Sequence, residues 1–510
     1  MNLQLTGLNL SYKDVFNVSH KTAEIKVSIN PENLEAMKKS RQLVLEIVEN
    51  NKPVYGINTG FGALSDKHVP KDKLKELQYN LIRSHCTGVG APFDIPTARA
   101  IMLIRANCLT RGFSGLNPEL VELILEFINK DITPVIPCKG SVGASGDLAP
   151  LSHLALALIG EGEVFYKGNR VPSIDAIKAE GLKQGVLGPK DGLALINGTA
   201  VISALGALAV YRSQTLLESS DVIAALTLEG LRGTTKAYYH KIHELKPQPG
   251  QLECARNLNK LLVESEIMNS HVDCGKVQDP YSLRCLPQVH GASRQAYNHA
   301  KDVIEIEINS VTDNPLVFPE TGEVVSGGNF HGQAPAFALD YLAMAMSEIS
   351  NISERRVEKM MNPTFSDLPA FLTKDSGLNS GLMIAHVTSA ALASENKVLC
   401  HPASIDSIPT STDKEDHVSM GVTAGRKLHE ILDNVTSSLA IELLCASQAI
   451  ELLRPLKSNP ALEAVMTLVR KYVEPIEEDR TFHQDIAALE TIIADNTLLN
   501  SVTNVLGEIE

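Results

Sequence analysis

No stretch of this chain reaches the eighteen or so uninterrupted apolar residues that a membrane span needs, and residues 1–12 lack the basic-then-apolar pattern of a secretory leader. The expectation is a cytoplasmic protein with no membrane partner. Positive charge is also scarce. With 46 Lys and Arg against 60 Asp and Glu, the formal net charge of -14 argues against a nucleic-acid binder and against attraction to anionic membrane. The eight cysteines contain no Cys-x-x-Cys pair, so reduced structural thiols are expected. Low-complexity segments and internal repeats are absent.

Familiar catalytic signatures are missing as well. The glycine-rich segment Val54-Tyr55-Gly56-Ile57-Asn58-Thr59-Gly60-Phe61-Gly62 lacks the Gly-Lys-Ser/Thr ending of a phosphate loop and the Gly-x-Gly-x-x-Gly order of a dinucleotide site. A serine-hydrolase elbow needs glycine two residues after the nucleophile, where Ser145 has Asp147. His240-Lys241-Ile242-His243-Glu244 does not have the His-Glu-x-x-His order of zinc peptidases, and no metal is expected. Chemistry on a small molecule is what remains.

What is present is 510 residues, 44% hydrophobic and 21% charged, enough for two or three lobes with a large core. Residues 1–30 alternate loosely and read as short strands or an arm. Helical spacing is predicted over residues 33–50, 77–84, 96–109 and 118–129, and a small hairpin over 164–171 across Lys167-Gly168-Asn169. From Leu195 onward helix dominates: 200–218, 221–229, 257–266 after a break at Pro247-Gln248-Pro249-Gly250, 334–361 and 380–399, with an extended excursion at 315–326. The longest candidate is 416–453, where Val418, Val422, Leu428, Ile431, Leu432, Val435, Leu439 and Leu443 recur at helical intervals. Its length of roughly 57 Å, at about 1.5 Å per residue, suits a bundle core shared between subunits. The expected domains are 1–195 and 196–510.

The stretch around which the chain is organised is Gly143-Ala144-Ser145-Gly146-Asp147, between Pro137 and Pro150. It reads simply as a turn entering a helix, with Ser and Asp as caps. The residue order also permits a sharper reading. Attack of the Gly146 nitrogen on the Ala144 carbonyl carbon closes a five-membered ring, and loss of the Ser145 hydroxyl as a second water leaves an exocyclic methylidene. The product, a methylidene-imidazolone (MIO), is an electrophile that no ordinary side chain supplies. Ala144 is small and Gly146 bare, as so tight a fold requires.

Other segments carry polar groups where helices should begin or end. His85 closes a helix before the glycine-rich Cys86-Thr87-Gly88-Val89-Gly90, Asn197 precedes Gly198, and Glu415-Asp416-His417 opens the long helix. Gly327-Gly328-Asn329-Phe330-His331-Gly332 is a second glycine-rich loop bearing an aromatic ring. Gln278-Asp279-Pro280-Tyr281-Ser282-Leu283-Arg284 sets Tyr281 three residues before Arg284, within reach for a guanidinium to stabilise a phenolate. Each has an ordinary structural explanation on its own, as cap, loop or dipole partner.

Together, and in this order, these motifs resemble the aromatic amino-acid ammonia-lyase family over about residues 50–453. The resemblance implies a mainly α protein, a long central helical bundle of aspartase/fumarase-like architecture behind a smaller N-terminal lobe, assembled as a homotetramer whose sites draw on several subunits. It implies an MIO group formed from Ala144, Ser145 and Gly146 with no external cofactor. Tyr281 becomes the base, Arg284 binds the α-carboxylate, Asn197 and Gln278 position substrate and electrophile, and Tyr55 and Phe330 line the site. His85 and Glu415 resemble the histidine-specific branch, which eliminates ammonia from L-histidine to give trans-urocanate. The physics agrees, because an imidazole N-H is held by a carboxylate acceptor and a second polar ring. Asp413-Lys414 departs from the Asn-Gln common in that branch, and Cys86-Thr87 from its small apolar pair. A tyrosine ammonia-lyase, an aminomutase using the same electrophile and an inactive helical scaffold are the alternatives.

Overall fold

In the computed structural model, which describes residues 2–50, 53–64, 66–272 and 274–509, the chain is mainly helical, as expected. It forms two compact units. One comprises Met1–Tyr211, Ala300–Asp340 and Pro402–Arg426, the other Arg212–His299, Tyr341–His401 and Lys427–Glu510. The helices Ala200–Gly230, Leu286–Glu307, Gln333–Met361 and Gly421–Leu452 each contribute residues to both, so the units interleave along the chain instead of following its order.

The first unit is built around helix Ile95–Leu109, buried on every side from Thr97 to Leu109. Asp94 caps it, accepting from the Thr97 nitrogen at 2.8 Å. Helices Tyr12–His20 and Pro118–Asn129 pack against it. The first thirty residues are therefore more than strands or an arm. Strands Asn2–Leu5 and Lys26–Ile29 pair in parallel, Asn2 opposite Lys26, but a helix stands between them, nucleated by a capping box of Ser11 and Asp14. The hairpin at 164–171 forms as strands Glu163–Tyr166 and Asn169–Pro172, with Lys167 and Gly168 both at positive φ (49° and 78°) as a tight two-residue turn requires. The extended excursion is a second hairpin, Leu316–Phe318 with Glu323–Val325.

Two helices differ from the expectation. The pieces 200–218 and 221–229 are one helix, Ala200–Gly230, because Ser219, Ser220 and Asp221 are buried in it and the Ser220 hydroxyl returns to the Leu217 carbonyl instead of breaking the helix. The longest helix begins at Gly421, not at 416, since Met420 sits at a φ of 54°. Its 32 residues span roughly 48 Å at about 1.5 Å per residue. Glu415 therefore does not open it. By length and composition both helices are apolar enough to cross a membrane, and in each 83% of the most apolar window is buried, as in core helices.

A buried charge network holds the second unit. Asp221 accepts from His290 (2.7 Å), Arg294 (2.6 Å), Asn257 (2.9 Å) and the Cys254 thiol (3.2 Å), while Glu442 accepts from Thr227 and Arg356. Burial alone would raise the Asp221 pKa, but Arg294 and His290 hold it well below the usual carboxylate range. Asp221, Cys254 and His290 lie within 4.8 Å of one another, yet the positive charge there is already supplied by arginine. All eight cysteines are free thiols.

Candidate active site

In the first unit, helices Leu74–His85, Leu148–Leu158 and Asp191–Ile196 pack mutually. Their ends carry chemistry. His85 is the last residue of the first, Ser145 stands three residues before the second, and Asn197 follows the third. Strand Val89–Pro92 pairs with Pro137–Lys139, tying the exit from His85 to the entry of the Ser145 loop. Between them lies a cavity of about 530 Å³ walled by Tyr55, Phe61, Asn80, His85, Ser145, Leu193, Asn197 and Glu415. A neighbouring lobe of about 560 Å³ shares Tyr55, Ser145, Asn197 and Glu415 and adds Ala144, Asn314, Phe330, His331, Lys414 and His417. The Tyr55 loop is anchored by Ile57, fully buried among Val44, Val48, Leu74 and Val317. Burying such a side chain contributes about 1.5–3 kcal/mol.

Backbone geometry fixes the tripeptide. Gly146 has a φ of 70°, and a methyl group on it would stand 2.3 Å from the Gly198 carbonyl oxygen, so only glycine fits. Gly146 and Gly198 form a parallel bridge, and the Asp147 nitrogen donates to the Gly198 carbonyl at 2.8 Å. Asp147 makes no side-chain bond to the helix it precedes. Its fully buried carboxyl caps helix Ala200–Gly230 instead, accepting from Val201 (2.8 Å) and Ile202 (3.0 Å) and from the Ser141 hydroxyl (3.1 Å). Burial pushes its pKa up to about 7 against the pull of those bonds.

Glu415 reaches the tripeptide. Its Oε1 accepts from the Ser145 hydroxyl at 2.8 Å and its Oε2 from Thr410 at 2.8 Å. The loop between them holds Ser411, Thr412 and Asp413 at φ of 54°, 52° and 63°, three successive left-handed residues, a strain of the kind that collects at functional sites. The Tyr55 hydroxyl accepts from the Gly62 nitrogen at 3.5 Å, and burial, with a smaller push from Glu415, raises its pKa. Burial lowers that of His85, against the Leu81 carbonyl and the Glu415 charge, so its imidazole is neutral near pH 7. Asn197 donates from Nδ2 to the Asn314 carbonyl at 3.1 Å, while its buried Oδ1 has no partner.

Ala144, Ser145, Gly146, Tyr55, His85, Asn197, Phe330 and Glu415 thus meet around one cavity system. Gln278, Tyr281 and Arg284 belong to the second unit and line none of it. There, the short helix Tyr281–Arg284 is anchored by buried Leu283, whose carbonyl accepts from Tyr238 at 2.8 Å. Tyr281 is left 71% exposed. Arg284 does meet it, with Cζ 4.6 Å from the ring centroid, as a cation over the ring face. Gln278 lines a separate cavity of about 420 Å³ with Arg232, His271 and Lys276.

Several wall residues escaped the sequence reading. Leu77, Asn80 and Leu81 share with Ser84 the helix face that ends at His85, and their i, i+3, i+4, i+7 spacing is the available signal. Leu193 and Asn314 had none. Asn314 joins Asn197 to the Phe330 loop, its Oδ1 accepting from the Gly327 nitrogen at 2.8 Å.

A sequence model of aromatic amino acid lyases matches residues 10–471. The histidine ammonia-lyase of Stigmatella aurantiaca is 50% identical over 500 residues, 98% of each chain. The crystal structure of histidine ammonia-lyase from Trypanosoma cruzi matches with a TM-score of 0.92 at 43% identity, over 99% of this chain and 95% of that one. A tyrosine aminomutase from Streptomyces globisporus matches with a TM-score of 0.95 at 35% identity, over the whole of both chains. With this cavity and these likenesses spanning nearly its full length, the chain belongs to the aromatic amino acid lyase family.

Proposed function

We propose that this protein eliminates ammonia from L-histidine to give trans-urocanate, the first step of histidine degradation, using an MIO electrophile made from Ala144, Ser145 and Gly146. The observation that carries this reading is Glu415 at 2.8 Å from Ser145, with the His85 imidazole in the same cavity. The local structure fits the group. Gly146 has no side chain to obstruct ring closure against Gly198, and Asn197 offers a buried, unpartnered oxygen beside it. Once formed, MIO supplies an electrophile that activates either an amine leaving group or an aromatic ring, without metal or added cofactor.

The chain's own residues do the rest. Glu415 accepts a hydrogen bond from the substrate imidazole, worth about 1.5–3 kcal/mol for a charged acceptor, and neutral His85 supplies the second polar contact. Because Asn197 Nδ2 is committed to Asn314, its Oδ1 accepts from the substrate ammonium. Tyr55 and Phe330 close the walls. Tyr281 removes the β-proton, with the Arg284 cation over its ring face. Arg284 also holds the α-carboxylate, and Gln278 positions the substrate. Exposed Tyr281, far along the chain in the second unit, supports a homotetramer in which another copy completes each site. The same reading takes 1–195 as the MIO-bearing domain, 196–510 as the helical bundle and the protein as cytoplasmic, without nucleic-acid or membrane partners.

A second reading, an aminomutase that returns the amine to the β-carbon, draws support from the likeness to the S. globisporus structure. Glu415 favours histidine over tyrosine in either case. The test is the ultraviolet absorbance of protein with L-histidine and, in parallel, with L-tyrosine, together with free ammonia. A rise with histidine and equimolar ammonia supports the lyase. A rise with tyrosine alone overturns the assignment of His85 and Glu415, and a β-amino acid without ammonia favours the aminomutase. Silence with both, and an intact mass that retains both waters, leaves an inactive scaffold.

A further inference from the structure

Arg105 lies inside helix Ile95–Leu109 and is fully buried. A guanidinium stays charged throughout the pH range of folded proteins, and a buried charge without a counter-charge is costly. Nη2 donates to the Ala194 carbonyl, Nη1 approaches the Cys108 sulfur at 3.9 Å, and Nε has no partner. No carboxylate is among these contacts. Buried ion pairs are often replaced by apolar side chains of similar volume at little cost or with a gain in stability, and Arg105 has no carboxylate partner that its removal would strand.

Its position explains what it is for. Ala194 is in the last turn of helix Asp191–Ile196, three residues before Asn197. On the other side the guanidinium presses on Gly198, where a methyl group would stand 2.4 Å from Nη1 and 2.6 Å from the Thr312 hydroxyl. That hydroxyl accepts from the Thr199 nitrogen at 3.3 Å and lies 3.7 Å from the Cys108 sulfur. Residues 197–199 are therefore clamped from behind by Arg105 and Thr312 and from the front by Gly146 and Asp147. The clamp leaves the Asn197 Oδ1 as the free atom of the turn.

We propose that Arg105 is a positioning residue of the active site, which pins the Asn197–Gly198 turn against the tripeptide and so fixes where Asn197 stands in the cavity wall, at a cost in stability. The proposal rests on the histidine-lyase reading. Misplacing a substrate-positioning group by about 1 Å costs on the order of 100-fold in rate.

The test compares wild type, Arg105→Met and Arg105→Lys by thermal melting, by intact mass for the two waters lost on maturation, and by kcat and KM for L-histidine. Expected for Arg105→Met is a melting temperature equal to or above wild type, with maturation incomplete or kcat/KM down about 100-fold, kcat falling more than KM rises. Arg105→Lys, which keeps a cationic donor, should recover at least about tenfold of that loss by the same positioning argument. A fully matured Arg105→Met with kcat within about threefold of wild type overturns the proposal, as does one that melts markedly lower or does not fold, since the arginine is then a stability device. A wild-type protein that neither loses two waters nor consumes histidine overturns the underlying reading instead.

Discussion

The Ser145 hydroxyl and Glu415 Oε1 are joined by a 2.8 Å hydrogen bond although 270 residues separate them in the chain. The carboxylate proposed to recognise substrate thus touches the residue proposed to become the electrophile. A change at Glu415 should therefore act differently on different substrates, whereas a change at Ser145 should act on all of them.

Glu415→Gln replaces a charged acceptor by a neutral amide. Losing a charge-assisted bond costs about 1.5–3 kcal/mol, so kcat/KM for histidine should fall roughly 10- to 100-fold. Activity on tyrosine should fall less or rise. Steady-state kinetics on both substrates checks this, and an equal loss on both would make Glu415 a structural or maturation residue.

Ser145→Ala removes the hydroxyl that ring formation must expel. The variant should keep the full mass of its sequence and lose turnover. Unchanged turnover in this variant would falsify the proposed chemistry.

Gly198→Ala places a methyl group against Arg105 and Thr312 at a φ of 149°, where side chains are strained. Overpacking of this kind costs about 1–3 kcal/mol. A denaturant melt should show that loss, and intact mass should show incomplete maturation, because Gly198 braces Gly146 and Asp147.

Asp147 makes stability depend on pH. Its carboxyl releases its proton at about 7 in the folded protein and at about 4 when unfolded, because burial penalises the charge. The folded state binds the proton more tightly, so the contribution of Asp147 to stability is fully present below pH about 4, declines as pH rises from about 4 to about 7, and is lost above. Asp191, raised to about 6, and Glu229, raised to about 7, add slopes of the same sign. Asp147→Asn has no proton to release. Relative to wild type its melting temperature should improve between pH 4 and pH 8, and a constant gap across that range would contradict the assignment.

If Tyr281 and Ser145 act in one site from different copies, Ser145→Ala and Tyr281→Phe should each be inactive alone, yet regain activity when co-expressed. Mixed oligomers then contain some sites with both residues intact. The measurement is turnover by doubly tagged, purified mixtures. Failure to recover would assign both residues to the same copy's site.

What the sequence alone determined is local. The order Ala144-Ser145-Gly146, the helix ending at His85, the spacing of Tyr281 and Arg284 and the hairpin at Lys167-Gly168 follow from residue type, glycine freedom and the 3.6-residue period, all of which act within a few residues. Tertiary structure decided the pairings. Nothing in its spacing directs the Asp147 carboxyl to Val201 and Ile202 instead of its own helix, and nothing near Glu415 announces Ser145. Arg105 reads as one more polar residue on a helix until burial against Gly198 gives it a role. Met420 at positive φ interrupts the helical pattern where periodicity continues, and its nitrogen donates to the distant Val142 carbonyl at 2.9 Å just before Gly421–Leu452 begins. Long-range contacts depend on which buried polar groups must satisfy one another once the core has closed, and that is a property of the folded chain.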